Sequence, residues 1–163
     1  MTMEDAVGRN YDDVLRYFTY RVRDRVTAED LTQETFYRFI RYSADPAARF
    51  RTAQKCRAYL FAIASNVCRD YYAGLHDTDA QPLDESLPDP ADVHAERDLS
   101  AVIADALSKL PEAQKEAAVL YYYSGFKVRE IAAIQNVSVP AVKSRLKAAR
   151  DTLKIILGEE GFP

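Results

Sequence analysis

Apolar positions recur every three or four residues along most of this chain, which is the period of a helix with one buried face. The chain has only five glycines, and no segment shows the alternation of apolar and polar residues that is typical of a strand. We therefore predict an all-α fold. The apolar positions of the first predicted helix, over residues 10–23, are Val14, Leu15, Phe18 and Val22.

Two further helices are predicted in the first half of the chain. Thr27 is a candidate N-cap for the second helix, which we expect to continue to Tyr42. Its predicted buried residues are Leu31, Phe36, Phe39 and Ile40. The third helix is expected over residues 57–73, with an apolar face of Leu60, Ile63, Ala64, Val67 and Tyr71. Cys56 and Cys68 would lie about 18 Å apart on one helix, so we expect two core thiols and no disulfide.

The last third of the chain predicts four more helices, of which the final two form a helix-turn-helix. The first of the four has an apolar stripe of Leu99, Val102, Ile103, Ala106, Leu107 and Leu110, and Pro111 opens the next helix. Asn136 suits the left-handed conformation that ends a helix, and Ser138 is a good N-cap for the helix that follows. Two short helices with so brief a turn are typical of DNA-binding proteins.

The second helix of this motif is basic on its outward side. Val142, Leu146, Ala149 and Leu153 are spaced to face inward, so Pro140, Lys143, Ser144 and Lys147 project outward with Arg145 on the flank. Cations near the end of a helix complement its dipole, which accounts for Lys154. Lys143, Arg145 and Lys147 lie in the first half, where the dipole disfavours them. This pattern favours DNA contact over an ordinary solvated face.

Charge is distributed unevenly along the chain. Residues 74–98 contain eight acidic side chains and one arginine, a balance of −7, whereas the whole chain carries −3 and the remainder therefore +4. The acidic stretch also contains Pro82, Pro88 and Pro90, a composition that disfavours a packed core. We interpret it as a flexible linker, residues 74–98, between small domains of residues 1–73 and 99–163. The two basic halves indicate a polyanionic partner.

Composition argues against membrane and enzyme classes. No stretch approaches the ~20 apolar residues that cross a bilayer, and the N-terminus lacks a signal-peptide pattern, so we expect no membrane insertion and a cytoplasmic location. The two histidines, His76 and His94, both lie in the acidic stretch, and His76 with Asp77 and Asp79 is the best metal candidate. Histidines without a fixed scaffold are rarely sites. We predict no catalytic residues, no metal and no cofactor.

Three segments, in this order along the chain, resemble conserved regions of bacterial RNA polymerase sigma factors. Two of them resemble region 2, namely AEDLTQETFYRFIRY and RAYLFAIASNVCRDYY. The third resembles region 4, namely LSKLPEAQKEAAVLYYYSGFKVREIAAIQNVSVPAVKSRLKAARDTL. With only a linker between them, the whole is similar to the extracytoplasmic-function (ECF) group over roughly residues 10–157. A helix-turn-helix alone would be weak evidence, whereas three ordered motifs are specific.

The resemblance implies a transcription initiation factor that binds core RNA polymerase and recognises promoter −10 and −35 elements. Family members dock on the clamp helices of the largest polymerase subunit and on the flap. The face that would bind the clamp helices comprises Asp30, Gln33, Glu34, Tyr37 and Arg41. The −10 element would be opened and a base captured near Arg49, Phe50, Arg51, Asn66 and Arg69, with Phe50 equally suited to be a core residue. The −35 element would be bound by Ser138, Val139, Pro140, Lys143, Ser144, Arg145 and Lys147.

The sequence departs from the family pattern at several positions. Tyr59 stands where Trp is frequent, and Gln135-Asn136 stand where Leu-Gly is frequent, which keeps the turn but loses an apolar contact. Residues 139–141 replace a more common polar-Gly-Thr run, so analogy does not predict the −35 sequence. The loop after Tyr42 matches poorly, which leaves the base-capturing residues open.

One alternative function stays open, and control of the protein is a separate expectation. A two-domain helix-turn-helix regulator that never engages polymerase would explain the basic helix but not the face that includes Asp30. For control, we expect a monomer when free, without a built-in clamp, because attraction between the exposed charges of linker and domains is weak and screened. An anti-sigma protein is therefore the expected inhibitor.

Overall fold

The computed structural model describes residues 2–43, 49–77 and 97–158, and these residues form seven α-helices without a strand. The prediction of an all-α fold is therefore confirmed. The helices are α1 Met3–Val22, α2 Arg25–Tyr42, α3 Ala53–Asp77, α4 Arg97–Ser108, α5 Glu112–Ala118, α6 Val128–Gln135 and α7 Val139–Leu157. We refer to α1–α3 as the N-terminal unit and to α4–α7 as the C-terminal unit.

The boundaries of α1 and α2 are set by their caps. Thr2 and Asp5 form a capping box at the start of α1, which begins seven residues before the predicted position. Arg23, in the left-handed conformation with φ 56°, ends this helix. Asp24 caps α2 by accepting a hydrogen bond from the backbone N–H of Val26. The prediction that Thr27 is the cap is wrong, since the cap residue lies three positions earlier and the Thr27 hydroxyl donates to the Asp24 carboxylate.

Aromatic side chains fill the core of the N-terminal unit. Val14 and Phe18 of α1, Phe39 of α2, and Leu60 and Phe61 of α3 are fully buried. Burial of side chains of this size contributes roughly 1.5–3 kcal/mol each, so these residues dominate the packing of the unit. The predicted faces of α1 and α3 are thus correct.

Three other predictions for the N-terminal unit have different outcomes. Cys56 and Cys68 are buried free thiols, as predicted. Ile40, predicted to be buried, is 48% exposed, because α2 turns it to the same side as Tyr37. Phe50 is partly buried and packs against the core, with its ring 5.2 Å from that of Tyr59.

The C-terminal unit contains one irregular turn. α5 continues directly into a π-helical turn at Val119–Tyr123, after which the N–H of Phe126 donates to the carbonyl of Leu120. Pro111 precedes α5 as its N-cap residue, close to the predicted helix start. Leu107 and Leu110 are buried as predicted, whereas Val102 is exposed.

The helix-turn-helix has the predicted geometry. Asn136 ends α6 in the left-handed conformation, with φ 57°. Ser138 caps α7, its hydroxyl accepting from the backbone N–H of Ala141 at 3.2 Å. The four residues predicted to face inward are all buried, namely Val142, Leu146, Ala149 and Leu153. The other side of α7 is therefore presented outward.

The N-terminal and C-terminal units pack against each other and share one hydrophobic core. Phe61 of α3 makes an edge contact with Phe126, at 5.0 Å between ring centroids. Tyr20 of α1 stacks on Tyr123 of the π-helical turn at 4.3 Å. This contact differs from the expectation of two halves without a built-in clamp, because apolar and aromatic surfaces from both units are buried between them.

Most of the predicted linker lies outside the described residues. α3 continues through Asp77 and α4 begins at Arg97, so a few residues at each end of the predicted linker are helical. Residues 78–96, which include His94 and Asp79, are not described. The boundaries of the linker remain a prediction.

Candidate nucleic-acid and polymerase interfaces

The outward face of α7 presents most of the predicted −35 residues to solvent. Six of the seven are exposed, namely Ser138, Val139, Pro140, Lys143, Ser144 and Lys147. Lys147 forms an exposed ion pair with Asp151 one turn further on, at 3.0 Å. Such a pair contributes little to stability, so the lysine remains available to another anion. An exposed helix face with basic and small polar side chains is what the major groove of DNA admits.

Arg145, the seventh predicted −35 residue, is held against the protein. Its side chain is half-buried, and its guanidinium donates to the side-chain oxygen of Gln135 at 3.0 Å. Gln135 is itself buried at the end of α6. Arg145 is therefore less accessible than the lysines that flank it on α7.

The predicted polymerase-binding face of α2 is exposed along its length. All five of its residues are exposed: Asp30, Gln33, Glu34, Tyr37 and Arg41. Tyr37 is 54% exposed and its ring lies beneath the Arg41 guanidinium at 5.7 Å, beside the exposed Ile40. Glu34 pairs with Arg38, which also reaches Asp70 of α3. An exposed tyrosine and isoleucine framed by charges are typical of a protein-binding surface.

Two of the predicted −10 residues form an aromatic and cationic cluster near the start of α3. The Arg49 guanidinium lies 4.5 Å from the Tyr59 ring and 5.6 Å from the Phe50 ring. It also donates a hydrogen bond to the carbonyl of Tyr42 at the end of α2, at 3.1 Å. Arg51 is exposed close by in sequence. Cations and ring faces of this kind are what unstacked bases bind.

The other two predicted −10 residues lie further along α3. Asn66 and Arg69 are exposed and hydrogen-bonded to each other. Arg69 also donates to the Ser65 hydroxyl at 2.8 Å. Through Ser65 these residues are connected to the contact between the two units.

A buried polar network joins the units at this point. Arg21 of α1 and Glu116 of α5 form an ion pair at 2.7 Å, with side chains that are 3% and 6% exposed. The Glu116 carboxylate also accepts hydrogen bonds from Tyr17, Ser65 and Gln135. The two oxygens thus receive four donors, which satisfies most of the capacity of an ionised carboxylate.

The network keeps Glu116 charged although it is buried. Burial raises the pKa of Glu116, but the Arg21 guanidinium and the hydrogen bonds from Tyr17, Gln135 and Ser65 outweigh it, so the pKa lies below its usual value. Burial also raises the pKa of Tyr17, which stays protonated and donates. Arg21 has one further partner, Glu112, at 3.2 Å.

An open cavity of about 450 Å³ lies beside this network. Its wall includes Arg21, Arg69, Glu116, Gln135 and Arg145. The cavity thereby brings together Arg69, a predicted −10 residue, and Arg145, a predicted −35 residue. None of the five residues of the α2 face is among the described residues that line it.

Arg21, Glu116 and Ser65 were not predicted from the sequence, and Gln135 was assigned only to the turn. Arg21 resembles an ordinary cation in the last turn of a helix, and Glu116 lies 95 residues away from it in sequence. One residue in the sequence could have indicated this buried network. Gln135 is a polar side chain at a position where the family frequently has an apolar one. A buried amide requires partners, and Glu116, Arg145 and the Ala113 carbonyl are those partners.

Neither a metal-binding group of side chains nor a membrane-spanning helix occurs among the described residues. Among these residues, no three histidine, cysteine, aspartate or glutamate side chains are grouped so that they could hold a metal ion. No helix in the part of the chain that the structure describes is long and apolar enough to cross a membrane. The metal candidate at His76 falls largely outside the description, since Asp79 is not described and the side chains of His76 and Asp77 are not placed.

Comparison with known families matches both units. A model described as "Sigma-70 region 2" matches residues 6–76, and one described as "Sigma-70, region 4" matches residues 100–153. The first range covers α1 to α3 up to His76, and the second covers most of α4 to α7. Both units thus match the conserved regions of sigma-70 factors, a class of proteins that direct RNA polymerase.

Curated relatives extend the match over almost the whole chain. CarQ of Myxococcus xanthus, an RNA polymerase sigma factor, is 30% identical over 96% of this chain and 89% of its own length. The ECF sigma factor SigM of Bacillus subtilis is 30% identical over 96% and 95%. BldN of Streptomyces coelicolor is 33% identical, and this chain spans 62% of its length. The chain belongs to the ECF group of bacterial RNA polymerase sigma factors, which are transcription initiation factors.

Two solved structures have the same fold. The sigma factor RpoE of Bartonella quintana, solved with the anti-sigma factor NepR, matches with a TM-score of 0.71 and 24% identity over 94% of this chain and 95% of that one. CnrH, solved with the cytosolic domain of CnrY, matches with a TM-score of 0.67 and 24% identity over 97% and 88%. At this identity the likeness establishes the shared fold.

Proposed function

We propose that this sigma factor engages core polymerase through the α2 face and promoter DNA through two separate surfaces. The −35 element is bound in its major groove by the exposed side of α7, and the −10 element by the Arg49, Phe50 and Arg69 surface. The proposal rests on the difference between the two sides of α7. One side is fully buried, and the other is exposed and basic in the first half of the helix, where the dipole alone would disfavour cations.

The exposed α2 face supports the polymerase part of the proposal. A chain that only bound DNA would gain nothing from an exposed tyrosine and isoleucine on the helix that precedes the −10 surface. We assign this face to the clamp helices of the largest polymerase subunit and a further contact of the C-terminal unit to the flap. The protein would act in the cytoplasm, with a non-catalytic role.

A protein inhibitor is also part of the proposal. RpoE and CnrH, which share the fold, were each solved with a partner protein, NepR and CnrY respectively. The exposed α2 face is the natural target for such an inhibitor here, because covering it would keep the chain from polymerase.

Capture by purified core polymerase tests the proposal. Wild-type chain should bind, and the double variant Asp30→Ala/Gln33→Ala should bind at least tenfold more weakly while its melting temperature stays the same, since both side chains are exposed. Asp12→Ala, which changes an exposed acid on α1, is the matched control and should bind like wild type. Absence of capture for the wild-type chain would favour the alternative of a DNA-binding regulator that does not engage polymerase.

A further inference from the structure

The cavity of about 450 Å³ has two arginines in its wall whose charge no acidic side chain neutralises. Within the described ranges, these two guanidinium groups bond only to neutral partners. Arg69 donates to Ser65 and Asn66, and Arg145 donates to Gln135. An anion that entered the cavity would therefore meet two cations that have no competing carboxylate.

The two acidic side chains in the same wall already have cationic partners. Glu116 pairs with Arg21 at 2.7 Å. Glu112 pairs with Arg21 at 3.2 Å and with Lys115 at 3.1 Å. Two carboxylates are thus matched by two cations, and the charge of the remaining two arginines is left in excess. The cavity is suited to an anion and not to a cation.

Both unmatched arginines are held in position and still have N–H groups to donate. Arg145 bonds to Gln135 through Nη1 alone, and Arg69 uses Nη1 and Nη2, so the Nε of each has no acceptor among the described residues. Ser65 and Gln135, which hold them, both donate to the same oxygen of Glu116. Side chains fixed by a second layer of hydrogen bonds form a more precise site than mobile surface cations.

A buried donor of Arg21 also lacks a partner at this cavity. The Arg21 side chain is 3% exposed and lines the cavity, and its Nε has no hydrogen-bond partner among the described residues. Buried polar groups in proteins are nearly always hydrogen-bonded. An acceptor supplied from the cavity would complete this one.

The size and charge of the cavity indicate the class of ligand. The fork of a guanidinium group matches the oxygens of phosphate, and a phosphate monoester carries about −1.5 to −2 at neutral pH, close to the charge of two arginines. A volume of about 450 Å³ lies in the range of roughly 300–1,000 Å³ that small-molecule sites have. Asn136 also lines the cavity, and its side-chain amide can donate to and accept from the organic part of a ligand.

We propose that this cavity binds a small phosphate monoester, whose phosphate group is held by Arg69 and Arg145 together. The inference goes beyond the proposed function, because it requires neither arginine to touch DNA and involves no contact with polymerase. The outward face of α7 is a separate surface, since Ser138 and Lys143 are not among the described residues that line the cavity.

Calorimetric titration of the full chain tests the ligand class. Adenosine monophosphate and ribose phosphate are the probes, and adenosine is the control ligand that lacks the phosphate. At least one phosphorylated probe should bind, and adenosine should bind at least tenfold more weakly than adenosine monophosphate or not at all. If neither phosphorylated probe binds at millimolar concentration, or if adenosine binds as well as its phosphate ester, the proposed site is excluded.

Substitution of single arginines tests the residues. Arg69→Gln and Arg145→Gln each remove one guanidinium and should weaken binding of the phosphorylated probe about tenfold or more. Arg150→Gln is the matched control, because Arg150 is an exposed arginine on α7 that is not among the described residues lining the cavity. Arg69 is exposed, so its variant should fold even if Arg145→Gln does not. Equal losses in all three variants would indicate general attraction of anions to the protein and would overturn the proposal.

Nuclear magnetic resonance locates the bound probe. The backbone amides of Ala113 and Asn136, which line the cavity, should shift when adenosine monophosphate is added. Shifts confined to Ser138 and Lys143 would place the phosphate on the outward face of α7 and overturn the cavity site. Polymerase capture tests the proposed function separately, so either proposal can fail without the other.

Discussion

Lys143 and Arg145 lie two residues apart on α7 and have different environments. Lys143 is exposed, whereas Arg145 is half-buried and donates to Gln135. The sequence predicted both as DNA contacts from helical spacing alone. Spacing determines the direction of a side chain, but the partner that holds Arg145 comes from the end of another helix.

Lys143→Ala should weaken binding to the −35 element by about 1–3 kcal/mol if the lysine contacts a base edge. If it contacts only phosphate, all sequences should lose affinity alike and the salt dependence should fall by about one counterion. Lys109→Ala is the matched control, because Lys109 is also an exposed lysine but lies outside α7. Equal affinity of Lys143→Ala and wild type, measured by fluorescence anisotropy, would exclude this face of α7 from the interface.

At the scale of helices, boundaries were predictable where a cap has a clear residue preference. Asn136 and Ser138 were identified correctly, since few residues tolerate the left-handed conformation and Ser is a strong N-cap. Thr27 was predicted as the cap where Asp24 is the cap in the structure, because apolar spacing does not distinguish helix starts within one turn and both residue types are good caps. The π-helical turn at Val119–Tyr123 was not foreseen, and its apolar and aromatic sequence differs little from that of an α-helix.

Ser138→Ala should lower the free energy of unfolding by about 1 kcal/mol, because it removes the acceptor for the N–H of Ala141. Ser144→Ala is the matched control. Ser144 is exposed inside α7, where alanine is the better helix former, so the stability of this variant should be unchanged or slightly higher. Urea titrations monitored by circular dichroism measure both effects. A Ser138 variant as stable as the Ser144 variant would contradict the role of Ser138 as a cap.

At the scale of the whole molecule, the sequence indicated the two units and their family but not the way they pack. Each helix reveals its own buried face, so the N-terminal core and the helix-turn-helix were predictable. Arg21 and Glu116 each have a plausible local role on their own helices, and nothing in either segment indicates that they meet. Charge counting emphasised the acidic stretch of residues 74–98, most of which lies outside the described residues.

The contact between the N-terminal and C-terminal units was not expected from the sequence. From sequence alone, silence required an external inhibitor, because exposed charges attract each other only weakly. The buried Arg21–Glu116 ion pair is a more specific contact between the units than exposed charges provide, although the Arg21 Nε has no hydrogen-bond partner among the described residues.

Transcription with purified components tests the central claim most directly. Core polymerase alone, and core polymerase with this chain, should be incubated with fragments of genomic DNA, and the 5′ ends of the transcripts sequenced. The account predicts new start sites only with the chain, preceded by two shared elements about two helical turns apart. Transcripts that are identical with and without the chain, from polymerase that is active with another sigma factor, would contradict it.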